Sequence, residues 1–270
     1  MRRDPRALGT GRRGMRASID LDQQAIDLSM PITEHWRFAP TISYHEVNPP
    51  GCSFHSTKFS MGAHGFTHVD APWHVDSDGH ALQSADLNQL WGIAKVIDVT
   101  SVGENDIIDA AALQASAPSI DAGDIALIRS SHELRFPTTQ REYWTRAPWM
   151  GRDAALWLLE KNVRAVGFDF PQDRGIRSDY VEDPWVPGDP LDDWPCHHLL
   201  LPRGVFQIEY LQNLAAIRGE SCLLFAAPLR FSRSDGSPVR AFALSYSSRK
   251  EIGPWPRNRR RRGWGAGGAS

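Results

Sequence analysis

The stretch "HGFTHVDAPWH", His64 to His74, constrains the fold most, because it must place several polar side chains while running through a proline. His64, His68, Asp70 and His74 fall at i, i+4, i+6 and i+10. On a helix, at about 100° per residue, Asp70 would point roughly 120° away from His64, and Pro72 would break the backbone ladder. On an extended chain all four positions share one parity and project from one side. A non-helical segment can therefore bring them to one ion, and a helix cannot.

The residue types fit that use. Histidine nitrogen and aspartate oxygen bind Zn²⁺ at about 2.0 to 2.2 Å, and two His with one carboxylate leave positions open for water. The same set suits Mn²⁺. The competing reading is a surface loop whose histidines are merely hydrogen-bonded. A second polar cluster lies at "CHHLLLPRGVFQIEY", Cys196 to Tyr210. His197 and Glu209 would stand about 18 Å apart on a continuous helix and about 40 Å apart on a straight strand. They can share a site only if the chain turns back, and "PRG", Pro202 to Gly204, supplies a turn. Taken alone, His197 or His198 reads as a structural histidine and Glu209 as a solvent-facing strand residue.

The rest of the chain alternates strand-like and helix-like runs. "AIDLSMPI" and "CSFHSTKFSMG" read as strands, and "WRFAPTISYHEVNPPG" as an irregular or extended stretch. "AKVIDVT", "DIALIRSS" and "RAVGFDF" are compact β-rich runs; "DAAALQAS" and "GRDAALWLLEKNV" have helical composition or spacing. "GVFQIEYLQNLAAI" and "SCLLFAAPLRF" continue the habit. This alternation predicts an α/β fold with a mixed or parallel sheet flanked by helices.

Composition narrows the function classes. No apolar run approaches the roughly 18 to 20 residues of a membrane-spanning helix, and the basic start lacks the apolar core of a secretory signal. Cys52, Cys196 and Cys222 show no paired spacing, so they read as reduced thiols in a cytoplasmic protein. Met1 to Ser18 carry six Arg and one Asp, and Pro254 to Ser270 carry five Arg, which leaves an acidic body between basic ends. The run "PRNRRRRG" could contact phosphate, but its Gly-rich flank reads better as a solvated tail than as a nucleic-acid surface. Residues 1–18 and 254–270 are therefore taken as disordered extensions, with Met15 a possible start, and 19–253 as one domain.

On these motifs the chain resembles the cyclase family of metal-dependent hydrolases, which includes bacterial kynurenine formamidase and isatin hydrolase. "HGFTHVDAPWH" is similar to the family pattern HxGTHxDxPxH, and His197, Gly204 and Glu209 repeat its late His, Gly and Glu. "DLSMPI" and "AVGFDFPQD" are also similar, so the likeness runs from about Ile19 to Phe242. The resemblance implies a swivelling β/β/α fold, assembled as a homodimer or homotetramer. It implies that His64, His68 and Asp70 hold a first divalent ion, Zn²⁺ or Mn²⁺, and that Asp70 bridges to a second held by His197 and Glu209. His74 would be the general acid/base. Two departures stand out: Phe66 replaces the glycine before the Thr, and "FPQD" follows Asp169 where formamidases tend to show a Ser.

The chemistry so implied is hydrolysis of a C–N amide bond, with a hydroxide generated at neutral pH by the ion and a proton moved by His74. Trp36, Phe66, Trp73, Trp185 and Trp194 lie near candidate loops and could line a pocket for a flat ligand, such as an N-formyl aromatic amine or a cyclic amide. The alternatives are a single-metal lactam or lactone hydrolase and a catalytically silent metal-binding protein.

Overall fold

A computed structural model describes residues 25–177 and 186–245. The basic ends, Met15 and Trp185 lie outside these residues. Among the described residues there are thirteen strands: β1 Ile26–Asp27, β2 Thr41–Val47, β3 Phe54–Ser60, β4 His68–Asp70, β5 Trp91–Asp98, β6 Ile107–Ile108, β7 Ile125–Arg129, β8 Trp149–Met150, β9 Ala165–Phe168, β10 Phe206–Glu209, β11 Ser221–Phe225, β12 Gly236–Pro238 and β13 Phe242–Ser245. The helices are α1 Ala110–Ser116, α2 Arg141–Thr145, α3 Arg152–Glu160 and α4 Pro190–Asp193.

Nine strands form one mixed sheet in the order β1-β13-β11-β5-β7-β9-β10-β4-β12. Its centre, β5-β7-β9-β10, is parallel, and both flanks are antiparallel. The α/β expectation therefore holds, with helices and antiparallel strands dividing the work of covering the parallel centre.

Alternation along β7 shows the division. Ile125 and Leu127 face a core built with Ala94, Val96, Phe206, Ile208, Leu224 and Val69, so this face is closed by the curled sheet and its loops. Ala126 and Ile128 face the opposite core, where α1 contributes Leu113 and α3 contributes Ala154, Ala155, Trp157 and Leu158. Helix α1 starts on an Asp109 side chain that accepts the Ala112 amide, a common N-cap. Helix α3 buries Ala155 and Leu158 of its apolar spacing together with Ala154 and Trp157, while Leu156 of that spacing is exposed.

The segment read as irregular or extended, 36–51, contains β2, which pairs with β3 as a separate two-stranded antiparallel sheet. Its prolines bracket the strand without entering it, which hid the strand in the sequence. Tyr44, Val47, Phe54 and Phe59 on this hairpin are exposed.

A third cluster, Met30, Phe66, Tyr143, Trp144, Ile176 and Tyr210, closes the end of the sheet near the site. His132 packs beside it on Phe136 and Tyr143, and its Nε2–H donates to the Tyr143 carbonyl at 3.1 Å. Burial holds its pKa down at about 4, against the modest upward pull of that bond. The unfolded chain thus takes up a proton first, so stability is complete above about pH 6.5 and falls as pH drops toward 4. We predict that His132→Gln, which cannot titrate, flattens this acid limb by up to about 3 kcal/mol in urea unfolding at pH 4 compared with pH 7.

Candidate metal centre

Strand β4 pairs antiparallel with β10, placing His68 opposite Glu209, Val69 opposite Ile208 and Asp70 opposite Gln207. Val69 and Ile208 enter the sheet-closed core. By strand alternation His68, Asp70, Gln207 and Glu209 share the other face. Glu209 is only 2% exposed, so it is not the solvent-facing residue that its strand alone would give.

The one-parity expectation holds for His68 and Asp70, which share β4. His64 and His74 come from turns on either side of it. The second of these is a 3-10 turn, Pro72–His74, which Asp76 and Gly79 extend with hydrogen bonds to Pro72 and Asp76 carbonyls. A straight strand would separate His64 and His74 by about 33 Å, yet the two rings stack with centroids 3.9 Å apart. The chain doubles back around the short strand, and convergence is closer than an extended segment could give.

His197 arrives from a π-helical turn, Cys196–Leu200. Gly204, with φ of 78°, then reverses the chain into β10, which is how two residues twelve positions apart meet. Asp173 anchors the turn: Oδ1 accepts the Cys196 amide at 3.0 Å, Oδ2 accepts the His197 amide at 3.1 Å, and Oδ2 also takes the His197 Nδ1–H at 2.6 Å. His197 Nε2 is thereby aimed at Asp70 Oδ2, 3.7 Å away, and Glu209 Oε1, 3.5 Å away.

His68 is held in the same manner. Its Nδ1–H donates to the Phe66 carbonyl at 2.8 Å. Nε2 then points at Asp70 Oδ1, at 3.1 Å, and Glu209 Oε2, at 3.6 Å. Among the described residues, His68 Nε2 and Asp70 Oδ2 are buried with no hydrogen-bond partner. Two imidazole nitrogens facing two buried carboxylates need a positive charge between them, supplied by a proton or by a cation.

The ligand atoms of His64, His68 and Asp70 lie within 4.8 Å of one another, as do those of Asp70, His74 and His197. A third group is His64, His74 and Asp235. The nitrogen and oxygen donors, the orphaned atoms and the fixed tautomers all fit a divalent ion. His198, the alternative to His197, is exposed and points elsewhere.

The electrostatics agree. Burial works against the protonated forms of His64 and His197, but carboxylates overcome it and push both to about 9. For His64 the carboxylates are Asp70 and Asp235; for His197 they are Asp173, Glu209 and Asp70. Glu209 is raised by burial and by the Asp70 charge, whereas Asp70 is held well below the usual range by His68 and His64 despite its burial. His74 is lowered, chiefly by burial and further by the His64 and His197 charges, against the pull of Asp70.

Three residues of this centre carry no motif. Gln172 and Asp173, from the "FPQD" that departs from the resemblance, donate to Glu209 and anchor His197 respectively. Asp235 sits in a Ser- and Arg-rich turn, where "SDG" signals only a loop. The aromatic residues divide. Phe66 packs in the core and also borders a cavity with Met30, Met61 and Thr67, Trp36 packs edge-on against Trp144, and Trp194 meets the His197 ring edge-on at 5.5 Å. Trp73 is half-buried beneath Arg233.

The Cyclase family model, described as "Putative cyclase", matches residues 26–172. The chain belongs to the cyclase family. Two relatives of this cyclase chain are kynurenine formamidases. That of Bacillus mycoides is 29% identical over 230 residues, covering 81% of this chain and 96% of its own. That of Bacillus cytotoxicus is 30% identical over 226 residues, covering 80% and 95%. In fold, the cyclase chain is similar to isatin hydrolase A from Ralstonia solanacearum, with a TM-score of 0.65 at 23% identity over 82% of this chain and 92% of that one.

Phe66 occupies a turn of the kind that glycine adopts most readily. Its φ is 58°, the left-handed conformation, so the backbone turns as a glycine would allow. The strain, about 1 to 3 kcal/mol, is offset by a ring that is 1% exposed. Both Phe66→Ala and Phe66→Gly should lower stability through the lost ring. Because the position is left-handed, the Gly variant should be the more stable of the two by about 1 kcal/mol in denaturant unfolding, the reverse of the usual order.

Proposed function

We propose that this cyclase-family chain is a metal-dependent hydrolase of a non-peptide C–N amide bond, acting on an N-formyl aromatic amine or a cyclic amide. The observation that carries the reading is the pair of imidazoles, His68 and His197, each tied through Nδ1 and aimed through Nε2 at buried Asp70 and Glu209. In this reading His64, His68 and Asp70 would hold one ion, Zn²⁺ or Mn²⁺, and Asp70 would be shared with His197 and Glu209 in holding a second. A bound cation would polarise the substrate carbonyl and lower the pKa of water to about 7.

The chain's own groups account for the remainder. His74 is partly exposed and stands among Asp70, His64 and His197 at the mouth, where it can take a proton from the attacking water and return it to the leaving nitrogen. Its lowered pKa keeps the ring a base at neutral pH. Gln172 and Asp173 hold Glu209 and His197 in place. Trp194, set edge-on against His197, gives the site an aromatic wall suited to a flat substrate.

The names of the relatives support this substrate class, an N-formyl amine for kynurenine formamidases and a cyclic amide for isatin hydrolases. A single-metal lactam or lactone hydrolase is the second reading. It is favoured by the clustering of ligand atoms: those of His64, His68 and Asp70 lie within 4.8 Å of one another, and among the described residues no such group includes Glu209. With three free cysteines, we place the enzyme in a reducing cytoplasm.

We further propose that it works as a homodimer or homotetramer. A lone two-stranded hairpin is marginal in water, and β2–β3 leaves four large apolar side chains exposed. A second copy would cover them. Sedimentation should then show an oligomer that Tyr44→Lys with Phe54→Lys shifts toward monomer; a wild-type monomer at micromolar concentration would contradict the assembly.

Elemental analysis of the purified protein, with a hydrolysis screen of N-formylkynurenine, isatin and simple lactams, tests the function. Asp70→Ala should lose metal and activity together. His74→Ala should keep its metal and lose roughly 10²- to 10⁴-fold in turnover. A fully active, metal-replete Asp70→Ala protein would sink the reading, and loss of metal from His74→Ala would recast His74 as a ligand.

A further inference from the structure

We propose that Asp235 is the positioning residue of this centre, a single carboxylate oxygen that fixes the orientation of the His64 ring and sets the tautomer of His74. The proposal rests on the metal-hydrolase reading above. Asp235 Oδ2 lies 2.8 Å from His64 Nε2 and 3.2 Å from His74 Nδ1. An ionised carboxylate can only accept, so both nitrogens must carry their hydrogens. His64 turns Nδ1 to the interior, where by the same rule it carries a second hydrogen for Asp70 Oδ1 at 2.6 Å, the proton that a cation would displace. His74 is left with Nε2 as its free basic nitrogen, the form a proton acceptor needs.

The backbone around Asp235 is built for this placement. The Ala71 amide donates to the Asp235 carbonyl at 2.8 Å, and the next residue, Gly236, pairs with Asp70 across β12 and β4. The side chain therefore starts beside the end of the ligand strand. Gly236 completes the fit, because a Cβ there would come within 2.6 Å of His64 Cε1 and 3.0 Å of the Val69 carbonyl. Only glycine lets the edge strand approach the His64 ring so closely. The stacked His64 and His74 rings, inclined by 28°, then offer adjacent nitrogens to one oxygen.

The position also separates Asp235 from the ligand carboxylates. Its side chain is 39% exposed, whereas that of Asp70 is 1% exposed. It sits on the solvent side of both histidines, behind the atoms they turn inward. Carboxylate partners of metal-bound histidine fix the ring orientation and commonly contribute 10- to 100-fold in metal affinity.

The test uses full-length protein with ¹⁵N-labelled histidine. In metal-free wild type, long-range ¹H–¹⁵N spectra should show neutral His74 as the Nδ1–H tautomer. Asp235→Ala should turn it to Nε2–H, and Asp235→Asn, which keeps an acceptor oxygen, should restore Nδ1–H. Chelator competition with Zn²⁺ should show affinity falling about 10- to 100-fold in Asp235→Ala with the number of bound ions unchanged.

Wild-type His74 found as Nε2–H would overturn the proposal without any variant. So would an Asp235→Ala protein with an unaltered tautomer and Zn²⁺ affinity within about twofold of wild type. Loss of an entire Zn²⁺ equivalent would overturn it too, by making Asp235 a ligand. A wild type that binds no Zn²⁺ would instead defeat the metal reading, while the tautomer comparison still decides the role of Asp235.

Discussion

Everything at this site depends on the pairing of β4 with β10, which sets His68 opposite Glu209 and keeps Asp70 on the same face. Two carboxylates and two imidazoles that would each prefer water are thus buried together. Burial of that kind is tolerated only when every group is hydrogen-bonded or charge-compensated. Much of the neighbouring structure supplies that compensation. The Phe66 carbonyl and the Asp173 carboxylate take the outward N–H groups of His68 and His197, and Gln172 takes one oxygen of Glu209. Among the described residues, His68 Nε2 and Asp70 Oδ2 are left without a hydrogen-bond partner, a pairing that a bound cation would satisfy.

The sheet explains how such a set is held in register. Val69 and Ile208, between the polar residues, anchor the strand pair in the sheet-closed core. A slip of one residue would put Val69 and Ile208 into the polar face and the carboxylates into the apolar one. Phe66 and Tyr210 sit at the ends of the same two strands, both with positive φ, and pack into the third cluster. The strained turns and the apolar cluster are thus two aspects of the arrangement that aims His68.

The sequence made much of this legible. The β-branched and apolar runs of β7, β9 and β11 and the stripe of α3 were readable because burial on known periods leaves a pattern. So was the cluster in "HGFTHVDAPWH", since its residue types are costly and their spacing excludes a helix. The return of His197 to Glu209 could be inferred only as a possibility from a turn, because Gly204 gives a reversal without saying where it leads. Strand β12 is too short to show any period, and β2 is flanked by prolines that resemble a loop. Gln172, Asp173 and Asp235 act only through tertiary neighbours, and an isolated polar residue in a loop carries no local trace of what it will touch.

One consequence concerns when the site can exist at all. Its parts lie along most of the chain: His64 to His74 near the start, Asp173 and His197 later, Glu209 on β10 and Asp235 just before β12. During synthesis the first histidines leave the ribosome long before the residues that fix their orientation. An early fragment can offer a cation loose imidazoles but no organised cage. If these residues hold a metal as proposed, selective loading would wait until β10 and β12 have closed around β4, so that capture of the ion would mark the near-completion of the sheet.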